Sequence, residues 1–331
     1  MKSGHLQNFD KIYDRERRKI EKKISGLFTG QQPESLYAPC SYIMQAGGKR
    51  LRPLLVLISA NAVSGKFSAA YNAAAAVELL HNFTLVHDDI MDNACKRRGR
   101  DTVHIKFDLS TAILTGDNLI AIAYNMLLKD CKDNDKDILS TFTKGIIEVC
   151  EGQSLDKEFE MRKDVSIEEY LVMIKKKTAA LLEICCSLGG KISGGTKQQI
   201  RALESFGINL GMAFQIHDDL LDIEADEAEF GKTIGGDLIE GKKTFLFLKA
   251  LETARGKDKQ MLLNVIKNKG ISKEEVPSYR DLYNKLGVIG DTKKEIAGYT
   301  RRALRSIEKT FGSEEIGFFV WLANSLLKRN K

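Results

Sequence analysis

Proline is almost absent from this chain. Among 331 residues only Pro33, Pro39, Pro53 and Pro277 occur, so none stands between residues 54 and 276. Proline kinks helices and punctuates strands and loops, so so long a stretch without it favours long helices. The hydrophobic pattern agrees. Residues 67–93, 110–131, 135–151, 167–188, 197–223, 242–255 and 291–328 read as helical, with apolar residues at a period near 3.6. Alternating β-branched runs are scarce. The expected fold is all-α: one large bundle of about a dozen helices around a central cavity, a single domain over residues 1–331 with no linker. Residues 111–128 are apolar on nearly every face, which predicts a helix in the middle of the bundle. The first 25 residues read as a charged amphipathic helix on the outside, and 253–280 as solvated surface. The Gly-rich stretches at 46–50, 187–197 and 230–243 are expected between helices.

Composition narrows the function. The net charge of +6 is mild and its basic residues are dispersed, which argues against nucleic acid as a partner. No wholly apolar run reaches about 18 residues, so no membrane span is expected. The N-terminus is polar and carries both signs of charge, unlike a secretory signal. The six cysteines, at 40, 95, 131, 150, 185 and 186, form no C-x-x-C pair. They suit buried thiols in a reducing cytoplasm better than a zinc site or a disulfide framework.

The chemistry lies in an internal echo. The helix at 67–93 ends in VHDDIMDN and the helix at 197–223 in IHDDLLDI. On a helix, Asp88 and Asp92 share a face with Asp89 at its flank, and Asp218, Asp219 and Asp222 repeat the arrangement. Acids at a helix C-terminus oppose the dipole, so they are not caps. One such cluster would pass for an ordinary solvated helix end. Two, each inside an apolar helix, argue for a purpose. If the helices face each other, six carboxylates line one cavity, and carboxylate oxygens with substrate phosphates suit Mg²⁺.

Basic residues accompany the acids. Gly47-Gly48-Lys49-Arg50-Leu51-Arg52-Pro53 joins a glycine turn to three cations, as an anion requires. His81 lies two turns before Asp88 on the same face, Arg97 and Arg98 follow Asp92, and Lys232 and Lys242 punctuate the loop after the second cluster. Below the acids both helices are rich in Ala, Leu, Ile and Phe. A polar mouth over an apolar shaft suits a diphosphate head on a hydrocarbon tail.

These residues resemble a known family. GGKRLRP at 47–53, LLHNFTLVHDDIMDNACKRRG at 79–99, Gly152-Gln153, Lys177-Thr178, FQIHDDLLD at 214–222 and GKTIGGDLIEGKKT at 231–244 stand in the order found in the trans-isoprenyl diphosphate (polyprenyl) synthases. The resemblance covers residues 40–250 and implies a helical isoprenoid-synthase fold. It implies that Lys49 and Arg52, with His81 and Arg98, bind isopentenyl diphosphate. It implies that Asp88, Asp89 and Asp92, then Asp218, Asp219 and Asp222, hold Mg²⁺, three ions per site with Mn²⁺ as a substitute. Arg97, Lys177, Thr178, Gln215, Lys232 and Lys242 fall on positions that contact the allylic diphosphate, with Lys177, Thr178 and Gln215 the catalytic set. The implied reaction ionises dimethylallyl, geranyl or farnesyl diphosphate and adds isopentenyl diphosphate to the cation. The family usually forms homodimers.

Chain length would be set beneath the first aspartates. Phe83, five residues before Asp88, and Thr84, four before it, resemble the floor of archaeal-type geranylgeranyl (C20) synthases. A farnesyl (C15) or mixed C15/C20 product is the alternative, and Ile120 and Tyr124 are candidates for a second floor. Four rivals fit less well. A phosphohydrolase built on His87-Asp88 and His217-Asp218 needs more His ligands than five histidines supply. Terpene cyclases and head-to-head synthases lack the GGKRLRP element. An inactive regulatory subunit would be expected to have lost an aspartate motif.

Overall fold

The structure is a computed structural model that describes residues 2–131, 135–224 and 234–327, side chains 2–8 and 135 excepted. It is all-α, as expected. Its helices are α1 (Lys2–Ser25), α2 (Glu34–Met44), α3 (Leu51–Ser64), α4 (Tyr71–Met91), α5 (Val103–Lys106), α6 (Leu109–Leu128), α7 (Asp135–Met161), α8 (Ile167–Ile174), α9 (Ala180–Ile192) and α10 (Lys197–Glu224). After these come α11 (Gly236–Ile239), α12 (Phe245–Thr253), α13 (Gly256–Asn268), α14 (Val276–Lys285), α15 (Val288–Glu308) and α16 (Ser313–Leu327). The only strands among the described residues pair Lys96–Arg97 with Arg100–Asp101. The chain divides into two compact units. The first holds Met1–Phe142, Cys185–Ile200 and Ser313–Trp321; the second holds Thr143–Ile184, Arg201–Gly312 and Leu322–Lys331.

In the first unit α4 packs along α6, more extensively than along α3 or α2. The Ala73–Ala76 run of α4 is fully buried, since small side chains let neighbouring helices approach closely. Gly116 of α6 faces the His87 imidazole with no room for a Cβ. α6 departs from expectation. Asp108 caps its N-terminus by accepting from Thr111 N at 2.8 Å. It is long and apolar enough to cross a membrane by length and composition. Ala112, Leu119, Ala123 and Leu127 are buried, but Leu114 is 58% exposed and Leu109, Ile113 and Leu128 are exposed with it. Within the unit α6 is therefore one-sided rather than central.

α1 carries a buried charge. The Glu16 side chain is wholly enclosed. Tyr71 of α4 donates to its Oε2, while Arg15 Nε at 2.6 Å and Lys19 Nζ at 3.1 Å reach Oε1. Burial alone would raise the Glu16 pKa, but these donors outweigh it and hold the group below the usual carboxylate value.

The second unit is built on α10. Gly207 and Gly211 press against the backbone of Leu182–Glu183 and Ala179, where a Cβ would collide. Leu246, Phe247 and Tyr283 fill the core beside it. Several boundaries correct the sequence expectations. The helix expected over 167–188 is broken by a π-turn at Lys175–Ala179. The helix expected over 291–328 breaks at Lys309–Gly312, between α15 and α16, where Gly312 stands just before Ser313. Residues 253–280 fold into α13 and much of α14, with Leu262, Val265 and Tyr279 buried rather than solvated. Gly189 and Gly190 lie inside α9, not in a loop, because Gly189 meets Val56 O and Ser59 of α3, both in the first unit.

Glu16→Gln is expected to destabilise the fold at pH 7 by about 1–3 kcal/mol. Because the folded pKa is lowered, the Glu16 contribution is present above the unfolded pKa and is lost as pH falls through the lower, folded one. Denaturant melts of both proteins should therefore converge in acid; a constant difference across pH would contradict this.

Candidate active site

In the first unit the glycine loop is fixed at both ends. Arg50 adopts a left-handed backbone, is buried, and pairs with Glu78 of α4 at 2.5 Å while donating to Met44 O at 2.6 Å. Tyr13 donates to Lys49 O at 2.7 Å. The Arg98 guanidinium donates to Gly47 O and lies across Gly48, where a Cβ would come within 3.1 Å of it. Gly48 also has φ +134°, so only glycine suits both the backbone and the space. Arg52 Nη1 stands 3.3 Å from His81 Nε2. Burial, together with Arg52, Arg98, Arg97 and Arg50, pushes the His81 pKa well below its ordinary value. His81 is therefore neutral, and because guanidinium only donates, Nε2 accepts and Nδ1 carries the proton. The structure thus brings Arg52, His81 and Arg98 together beside Lys49 in one cationic cluster.

Arg98 is placed by a hairpin that the sequence reading missed. Lys96 pairs with Asp101 and Arg97 with Arg100, around Arg98 (φ 54°) and Gly99 (φ 75°). Two successive positive φ values make the turn that matches strand twist. The same hairpin brings Arg97 back to α4. Its Nε and Nη2 both donate to Asp89 Oδ1, at 2.9 and 2.6 Å. Asp89 is 1% exposed. Burial raises its pKa, against the pull of Arg97. Its other oxygen, Oδ2, is buried without a hydrogen-bond partner among the described residues. A buried carboxylate oxygen left open in this way fits a cation. Asp88 is half-buried and Asp92 exposed at the end of α4. Phe83 lies edge-on to the His87 ring, with centroids 4.8 Å apart, and Thr84 Oγ1 donates to His81 O at 2.8 Å. Tyr124 lies edge-on to Phe142 at 5.1 Å.

In the second unit the π-turn and α10 share one network. Thr178 Oγ1 donates to Gln215 Oε1 at 2.8 Å, and Gln215 Nε2 donates to Asp219 Oδ1 at 3.1 Å. Asp219 Oδ2 accepts from the Tyr170 hydroxyl and from Phe245 N at 3.1 Å. Lys177 pairs with Asp156 at 2.5 Å. The Asp222 carboxylate accepts from Asp237 N at 3.1 Å, and Lys242 lies 2.7 Å from Glu240 and 3.8 Å from Asp237. Burial, then the charge of Asp237, lifts Asp219 and Asp222 to about 7. Such crowded buried acids favour a proton or a cation among them. A cavity of about 130 Å³ opens beside Lys177, Thr178, Gln215, Asp219 and Lys242. Lys232 lies outside the described residues.

Among the described residues no three His, Cys, Asp or Glu side chains form a ready-made metal cage. Mg²⁺ rarely uses one: it takes one or two carboxylates and completes its shell with water and substrate phosphate. Separated aspartates, one of them with an open buried oxygen, fit that habit.

The polyprenyl synthetase family profile matches residues 33–284. The chain belongs to the polyprenyl synthetase family. It is accordingly a prenyltransferase, and the phosphohydrolase reading falls. This synthase is 39% identical to the geranylgeranyl diphosphate synthase of Sulfolobus acidocaldarius over 333 residues, 98% of this chain and 100% of that one. It is 43% identical to the short chain isoprenyl diphosphate synthase of Methanothermobacter thermautotrophicus over 250 residues, 75% of each. Its structure matches the crystal structure of geranylgeranyl pyrophosphate synthetase from Pyrococcus horikoshii with a TM-score of 0.91 at 37% identity, covering 99% of this chain and 100% of that one.

Other contributors to the synthase site went unread in the sequence. Asp156 answers Lys177, Asp237 crowds the second motif, and Tyr170 holds Asp219. Only Asp237 had a signal, an acid directly after Gly235-Gly236. Gly152, in contrast, now has a reason: the Lys176–Lys177 backbone occupies the space of its Cβ, so it lets the π-turn seat against α7.

Arg97→Ala leaves the buried Asp89 charge unanswered and should cost about 1–3 kcal/mol of stability. Chemical denaturation measures this; an unchanged midpoint would mean that Asp89 does not depend on Arg97.

Proposed function

We propose that this synthase condenses isopentenyl diphosphate with dimethylallyl, geranyl and farnesyl diphosphates and stops at geranylgeranyl diphosphate (C20). The observation that carries the reading is the cationic cluster around neutral His81, on the same helix as the first aspartates. Lys49, Arg52, His81 and Arg98 would bind the isopentenyl diphosphate head. Lys177 and Lys242 would take charge from the allylic diphosphate as its C–O bond breaks. The oxygens of Thr178 and Gln215 would face the allylic cation. The isopentenyl double bond then attacks that cation, and a proton leaves to the departing diphosphate, giving a chain five carbons longer. Holding the two substrates in register and excluding water is the protein's share.

Asp88, Asp92 and the open oxygen of Asp89, with Asp218 and Asp222, would hold Mg²⁺, three ions per site, with Mn²⁺ as a substitute. When bound, Mg²⁺ supplies Lewis-acid stabilisation of leaving diphosphate charge. The family profile runs through both units, which supports reading residues 1–331 as one catalytic domain. The C20 product rests on Phe83, with small Thr84 beside it, and on the Sulfolobus relative. Farnesyl diphosphate, or a C15/C20 mixture, is the second reading, favoured if Phe83 closes the shaft nearer the acids. No disulfide joins any of the six cysteines, which supports a reducing, cytoplasmic setting.

The exposed face of α6, with Leu109, Ile113, Leu114 and Leu128, continues the exposed Ile105 and Phe107 just before it. An apolar face of this kind calls for cover, and we assign it to a second copy of the chain as a homodimer.

Purified protein with Mg²⁺, isopentenyl diphosphate and each allylic starter should yield a C20 alcohol after dephosphorylation. EDTA or Asp88→Asn should remove at least about 99% of the activity. Phe83→Ala should lengthen the product, while unchanged length would place the floor elsewhere. No elongation from any starter would defeat the synthase reading. Sedimentation should show a dimer that Leu114→Glu converts to monomer; a monomeric wild-type protein would leave the α6 face to another use.

A further inference from the structure

The residues around Gln215 close into a ring. α8 carries Tyr170, and the π-turn that follows it carries Thr178. α10 carries Gln215 and Asp219, one turn apart on the same face. Tyr170 reaches Asp219, Asp219 holds Gln215, and Gln215 accepts from Thr178. Every polar atom in this ring has a defined sense. Asp219 receives three donors, which favour its ionised form, and in that form the carboxylate only accepts, so the amide of Gln215 turns its NH₂ to Asp219 and its oxygen to Thr178. A flipped amide would put oxygen against oxygen at Asp219 and lose that bond, leaving its NH₂ to donate to the Thr178 hydroxyl instead.

Tyr170 makes that orientation rigid. It is 2% exposed, its ring leans on Phe245 at 6.4 Å, and its hydroxyl is kept protonated by burial and by the charge of Asp219. With Phe245 N it saturates Asp219 Oδ2, which leaves Oδ1 aimed at Gln215. Both oxygens of Asp219 are therefore engaged by protein donors. The Tyr170, Thr178, Gln215 and Asp219 side chains all line the same cavity.

We propose that Tyr170 is a positioning residue for prenyl transfer: through Asp219 it fixes the Gln215 amide so that its oxygen, beside the Thr178 oxygen, is presented to the allylic cation. In this assignment Asp219 acts as an anchor rather than a metal ligand. The assignment rests on the prenyl-transfer reading and adds a residue and a direction of action to it. A carbonyl dipole fixed before the charge develops needs no reorganisation when the C–O bond breaks, so the effect belongs to kcat and not to substrate binding.

The test is a mutant cycle on the full-length enzyme with geranyl diphosphate, isopentenyl diphosphate and Mg²⁺. Tyr170→Phe removes one hydroxyl and keeps the ring. It should lower kcat roughly tenfold with both KM values within about twofold. Gln215→Leu should lower kcat at least as far. The double variant should be no slower than Gln215→Leu alone, because the hydroxyl acts only through the amide. Losses that multiply, or a Tyr170→Phe enzyme with unchanged kcat, would overturn the assignment. Asp219→Asn retains the Tyr170 hydroxyl, so it serves if Tyr170→Phe does not fold. It should lower kcat while leaving the Mg²⁺ concentration for half-activity unchanged; a raised Mg²⁺ requirement would make Asp219 a metal ligand and overturn its role as anchor. A wild-type enzyme that does not elongate would defeat the prenyl-transfer reading itself, whereas elongation by wild type with any of the contrary variant results would defeat this assignment alone.

Discussion

Negative charge buried in apolar helices is the constraint to which the rest of this molecule answers. Each buried acid is met differently. Asp89 has a guanidinium on one oxygen and, among the described residues, no hydrogen bond on the other. Asp219 has three protein donors shared between its two oxygens. Asp222 accepts from the backbone at the start of α11 and shares its surroundings with Asp237. Desolvating a carboxylate is costly unless it is paired or hydrogen-bonded. The hairpin at 96–101, the π-turn and the short helix α11 all carry groups that meet that cost. These irregular pieces are therefore no ornaments on a helical scaffold; without them the buried acids would lose the groups that answer them.

The cationic cluster obeys the same logic with the sign reversed. Arg50, Arg52, Arg97 and Arg98 crowd His81, and the histidine responds by giving up its proton. Arg50 is neutralised by Glu78 inside the protein and so serves as a strut. Lys49 and Arg52, on either side of it, are the residues the family resemblance assigns to the substrate. One arginine in a row of three cations thus holds the loop, while Lys49 stands exposed and Arg52 turns to His81.

Much of this was legible in the sequence because helices advertise themselves. The scarcity of proline and the 3.6-residue period located most helices to within a few residues, and the repeated acidic motif located the chemistry. What escaped was whatever depends on a neighbour distant in sequence. Nothing local to KRRGRD announces a hairpin, since its turn uses arginine in a conformation usually left to glycine or asparagine. Tyr170 and Asp156 look like ordinary helix residues until α10 and the π-turn bring them to their partners. α6 misled for the same reason: an apolar helix looks the same in sequence whether it is enclosed by its own chain or only half covered by it.

The π-turn has a consequence for the register of everything after it. Each residue in an α-helix advances its direction by about 100°, and a wide turn takes up one residue more than an α-turn would. The side chains of α9 are thus rotated by that amount relative to α8. Cys185, Cys186 and Leu188 reach the core, and Lys177 and Thr178 reach the cavity, from a stretch that reads as one periodic helix. Two incompatible phases are spliced within Lys175–Ala179. The splice is worth a single residue of length, so a one-residue deletion within it would restore one helical phase and turn either Lys177 and Thr178 from the cavity or Cys185 and Leu188 from the core.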